Sequence, residues 1–119
     1  MARFRDAACA AVALLHFGFL VLEMYFWDKP LGLKVFGLAP ELAKATRSLA
    51  ANQGLYNGFL SAGLFWGLLR GGPEGRSLKI FFLACVVIAG IFGALTASRG
   101  ILFIQALPGA IALALVLAS

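Results

Sequence analysis

Charge is what this sequence has least of. Only 13% of its 119 residues are Asp, Glu, Lys or Arg, whereas an ordinary soluble domain is about a quarter charged. With 62% hydrophobic residues and a mean hydropathy of +0.96, the chain has more apolar surface than a soluble core could hide. Cysteine is almost absent: Cys9 and Cys85 sit alone in apolar stretches, where a thiol acts as a small hydrophobe, and no metal-ligand or cofactor-binding spacing is present. There is no internal repeat of the kind that marks inverted-topology transporters, and no low-complexity tract. The net charge of +5 lacks the basic stretch with interleaved aromatics that nucleic-acid binding needs, so no nucleic acid is expected.

What is present is long apolar segments of membrane-spanning length, about 20 residues each. The expected fold class is all-α: a polytopic membrane protein, a bundle of four transmembrane helices in one membrane domain over residues 1–119. The N-terminal segment has basic residues ahead of an apolar run, as a secretory signal would. His16 and Glu23 interrupt that run, however, and no small-x-small cleavage site follows before Trp27, so it reads as a retained first helix.

Helix one is expected at about residues 7–27, stopped by Asp28, Lys29 and Pro30, with Tyr25 and Trp27 at the interface. Residues 28–39 read as an exposed connection. Helix two is expected at 40–70, opening at Pro40 with Glu41 favouring the helix dipole. At about 31 residues, roughly 46 Å, it is longer than the ~30 Å hydrocarbon core, so its first turns with Glu41, Lys44 and Arg47 should project from the lipid or line a wet cavity. Gly71 to Gly75 form a turn. Helices three, 77–97, and four, 101–118, should then pair as a tight hairpin, with Pro108 kinking the last or freeing a carbonyl.

The ten basic residues divide evenly between the two sides, so positive charge does not orient the bundle. Setting Arg47 aside as a site residue tips the balance toward an inward N-terminus. A multi-pass location in a bacterial inner membrane is expected.

The polar residues are few and grouped. His16 and Glu23, seven apart, fall within about 20° of each other on helix one, and Cys9 and Trp27 extend the stripe. Ionisable side chains in a span are costly and turn inward to partners. Helix two carries Arg47, Ser48, Asn52, Gln53, Tyr56 and Asn57 on a broad arc. Gly54 and Gly58 lie on the other side, a small-residue face for close helix approach. Amides cannot be left unpaired in lipid, so the arc must face protein or water.

Three residue groups carry a resemblance: Leu15 and His16 with Glu23, Met24 and Trp27; the run Lys34-Val35-Phe36-Gly37-Leu38; and Ala50-Ala51-Asn52-Gln53-Gly54-Leu55-Tyr56-Asn57-Gly58-Phe59-Leu60. Together they resemble a family of small bacterial and fungal integral membrane proteins known as a domain of unknown function, number thirteen hundred and four. That resemblance covers essentially the whole chain and implies membrane localisation without naming an activity. In layout, Arg47, Asn52 and Asn57 are also loosely similar to the membrane-associated eicosanoid and glutathione metabolism proteins, whose four-helix chains form trimers. The glutamate characteristic of that motif is missing, so this likeness implies only topology and oligomer formation.

The leading expectation is an intramembrane site for a small lipophilic or amphipathic molecule. His16 and Glu23 would supply acid–base or hydrogen-bond chemistry. Arg47, Asn52, Gln53, Tyr56, Asn57, Trp27 and Gln105 would bind the ligand. Whether it is transformed is left open. The alternatives are a proton- or solute-conducting path through the same residues, and a structural helper docking through the Gly54/Gly58 face. Membrane lipid and a second copy of the chain are the expected partners.

Overall fold

The computed structural model describes residues 2–119 and is all-α, with no strand among them. The order is α1 (Ala2–Tyr25), α2 (Pro30–Phe36), α3 (Pro40–Ala45), α4 (Arg47–Arg70), α5 (Gly72–Thr96), a π-helical turn (Leu102–Ala106) and α6 (Leu107–Leu117). Two helices are long and apolar enough to cross a membrane, α1 and α5, with mean hydropathies of 2.0 and 2.5 over their most apolar stretches.

The chain divides into two compact units. One comprises residues 1–14 and 60–119, the other residues 15–59.

In the first unit the core is built from Cys9, Val12 and Ala13 of α1, Leu64 of α4, Leu83 and Val86 of α5, and Ala112 and Val116 of α6. Small residues set the spacing. A methyl group on Gly90 would meet Ala106 at 2.7 Å or closer, and one on Gly109 would meet Val86 at 2.7 Å. Pairing 90 with 106 and 86 with 109 makes α5 antiparallel to the final helix. Gly67 lies against Lys79, and Gly63 against the Phe82 ring, which runs α4 antiparallel to α5. Ser61 donates to the Ala13 carbonyl at 2.8 Å and so ties α4 to α1. At the end of this unit Lys79, only 5% exposed, donates to Asp6 at 3.1 Å, and Arg5 contacts the same carboxylate oxygen.

Pro108 does not break the last helix, which stays helical on both sides of it. Lacking an N–H, it sits in the first turn of α6, while the preceding turn widens so that Leu107 N–H bonds the Leu102 carbonyl five residues back. A π turn of this kind absorbs a residue that cannot join the regular ladder.

The second unit departs from sequence expectation in two places. Residues 28–39 are not simply a connection: Pro30 in the first turn favours helix, and α2 forms over seven residues before Gly37, at φ 64°, closes it in the left-handed conformation. Nor does one helix cover 40–70. Thr46 interrupts it at φ −104°, ψ 8°. The Thr46 hydroxyl donates to its own Leu42 carbonyl at 2.7 Å, a local bond that competes with the regular ladder and bends helices.

Candidate functional site

Glu23 and Asn57 meet in the second unit. Glu23 is in the last turn of α1, half-buried, and Asn57 on α4 is 5% exposed. The Asn57 side-chain amide donates to Glu23 Oε1 at 2.5 Å. What permits the approach is Gly54: a methyl group there would lie 2.8 Å from Met24 and 3.1 Å from the Glu23 side chain, and one on Gly58 would lie 2.6 Å from Leu20. The small-residue face of α4 is therefore its packing face. Asn57 is the amide of the helix that shares this face.

Beside Glu23 opens a cleft of about 390 Å³. Leu38, Leu42, Leu49 and Ala50 supply its apolar wall, and Glu23, Trp27, Thr46 and Gln53 its polar groups. Trp27 is fixed on both sides. Its indole N–H donates to Thr46 Oγ1 at 3.1 Å, and its ring packs against Phe36 of α2 with centroids 4.7 Å apart. The break at Thr46 thus has a use in the unit: it places one hydroxyl between the Leu42 carbonyl and the indole.

The remaining expected site residues are distributed differently. His16 is wholly buried, with its ring edge-on to Phe19 at 5.4 Å. Arg47 is largely exposed and lies 3.7 Å from Asp28. Asn52 and Tyr56 point away from the packed face and are exposed, Tyr56 leaning on Phe59. The polar arc of α4 therefore does not turn inward as one surface: Asn57 is inside, Gln53 edges the cleft, and Asn52 and Tyr56 are open. Gln105 lies in the π turn of the first unit.

Thr46, Asp28 and the four apolar wall residues were not among the site residues expected from sequence. Only Thr46 had a legible signal, a β-branched residue with a bonding hydroxyl early in a supposed long helix.

What this arrangement can do chemically is accept hydrogen bonds in an open, apolar-walled cleft. One carboxylate, held by an amide, faces a space walled by leucine and tryptophan.

The chain is similar to the Uncharacterized protein YpaA of Lactococcus lactis subsp. lactis (strain IL1403), with 25% identity over 96 residues, 79% of this chain and 80% of that protein. No solved structure matches it. The family described as Protein of unknown function (DUF1304) matches residues 10–117, and the chain belongs to that family.

Proposed function

We propose that this chain is a multi-pass protein of the bacterial inner membrane, a four-span helical bundle whose cleft beside Glu23 binds a small amphipathic molecule. The observation that carries the binding reading is the Glu23–Asn57 pair at the edge of an apolar-walled cleft. Pockets of this size with a few convergent polar groups are the usual form of small-ligand sites.

The exposed apolar face of α5 supports the membrane reading. Its buried positions are Gly75, Lys79, Leu83, Val86 and Gly90, while Phe81, Ile88, Phe92 and Leu95 are all more than 60% exposed. Lipid accepts such a face; water does not, and exposed apolar areas of that extent mark membrane or protein contact. Close small-residue contacts between helices fit a bundle assembled in lipid, where packing rather than hydrophobic burial drives association.

Asn52 and Tyr56 support an assembly of several copies. Polar groups open on a spanning helix need protein or water opposite them, and a second copy of the same face supplies both donor and acceptor. In this reading Glu23 anchors the ligand's polar end and Trp27, Leu38 and Leu42 hold its apolar part.

The test is alkaline extraction of membranes, followed by native mass spectrometry of the purified chain. The proposal expects the chain in the extracted membrane pellet and a retained small amphipath that is lost in Glu23→Gln. A chain released by alkali contradicts the membrane reading, and identical retained mass in wild type and variant contradicts the site.

A further inference from the structure

We propose that the cleft selects ligands by a donor-bearing, cationic head, so that its natural class is lipophilic amines rather than lipophilic acids. This rests on the cleft being a binding site at all, and adds the chemistry of its occupant.

The argument is a count of donors and acceptors. Four polar side chains line the cleft. Trp27 has one donor, and it is already given to Thr46. The Thr46 hydroxyl hydrogen is given to the Leu42 carbonyl, so toward a ligand this group can only accept. Glu23, in the ionised form that a cationic partner favours, has about four lone-pair directions and no donor, and Asn57 takes one of them on Oε1. Gln53 alone offers both roles. The polar surface therefore presents several acceptors and one side-chain donor, and a ligand must bring the missing hydrogens.

Charge points the same way. No Lys, Arg or His lines the cleft, and Arg47 is turned toward Asp28. An anionic head would face the Glu23 carboxylate without a compensating cation. An ammonium brings up to three donors and the opposite charge, and charge-assisted bonds are roughly twice as strong as neutral ones. The indole of Trp27 adds an aromatic wall of the kind that attracts cations most strongly. The Leu38, Leu42 and Leu49 wall takes an alkyl chain.

The experiment uses the full chain with Trp66→Phe, which leaves Trp27 as the sole tryptophan of two, in lipid nanodiscs. Trp27 emission is titrated with octylamine, octanol and octanoate, and again in the Glu23→Gln background, where the amide can still bond Asn57. The expected result is octylamine binding at least tenfold tighter than octanoate, with that preference lost in Glu23→Gln. Octanoate binding as tightly as octylamine, or a preference unchanged by Glu23→Gln, overturns the assignment. Octanol matching octylamine, with both displaced by Ala50→Leu, overturns the cationic head while sparing the cleft as a site. If none of the three perturbs Trp27, the binding reading itself fails.

Discussion

The Asn57 amide and the Glu23 carboxylate form a 2.5 Å hydrogen bond between α4 and the last turn of α1, and Gly54 on the same face of α4 leaves the room for it. One side chain thereby both joins two helices and aims a carboxylate at the cleft. This makes Asn57, rather than the more conspicuous Asn52, the amide that holds Glu23.

Asn57→Ala should therefore destabilise the chain by about 1–3 kcal/mol, the cost of stranding a partly buried polar partner. Asn52→Ala, at an exposed position, should stay within about 0.5 kcal/mol in the monomer. Thermal unfolding in detergent compares the two, and a double-mutant cycle with Glu23→Gln should give a coupling above about 0.5 kcal/mol. Equal losses for the two asparagines would contradict the assignment.

The reason sequence did not separate these two amides is physical. Helical geometry places residues around an axis, and Asn52, Gln53 and Asn57 all fall on one broad arc. Which edge of the arc turns inward is decided by where the partner helix can come close, and that is the glycine edge with Gly54, Gly58 and Ser61. The small-residue signal was visible, but its bearing on Asn57 was not. Helical class and the family were legible from composition and motif. Helix α2 was not, because seven residues ending at Gly37 read as linker chemistry. Nor was the break at Thr46, which depends on the hydroxyl bonding Leu42 and Trp27. Pro108 was read as kinking the last helix or freeing a carbonyl, and the π turn just before it could not be told from the sequence.

Gly90→Ala should cost about 1–3 kcal/mol by overpacking, because its new methyl would meet Ala106 backbone nitrogen at 2.6 Å. Backbone cannot swing aside as a side chain can. Gly18→Ala should instead be neutral or stabilising by up to about 1 kcal/mol, since nothing lies within 4 Å of the added atom. The same unfolding assay reads both, and a loss for Gly90→Ala with none for Gly18→Ala is the expected outcome.

Removal of Asp6 should be felt through Lys79. Its ammonium is nearly enclosed and bonded to Asp6, so Asp6→Ala leaves a buried cation without its counter-charge, at about 1–3 kcal/mol. Lys79→Met, which removes the cation and keeps the volume, should cost less than Asp6→Ala. A larger loss for Lys79→Met would mean that the pair is a source of stability in its own right.

Asn52→Leu and Tyr56→Leu together should shift the chain toward monomer if the open face of α4 meets a second copy. Native mass spectrometry from nanodiscs measures the distribution. An unchanged distribution would place the interface elsewhere, and the Glu23 cleft would be unaffected by that result.

The most direct test of the central claim is photolabelling in nanodiscs with an alkyl diazirine carrying an amine head, followed by peptide mapping. A ligand held beside Glu23 should label Leu38, Leu42 and Leu49, with excess octylamine and Glu23→Gln each removing most of the label. Label spread over Phe81, Ile88, Phe92 and Leu95, unaffected by either, would mean the probe sees only a lipid-facing surface and that the cleft is not a binding site.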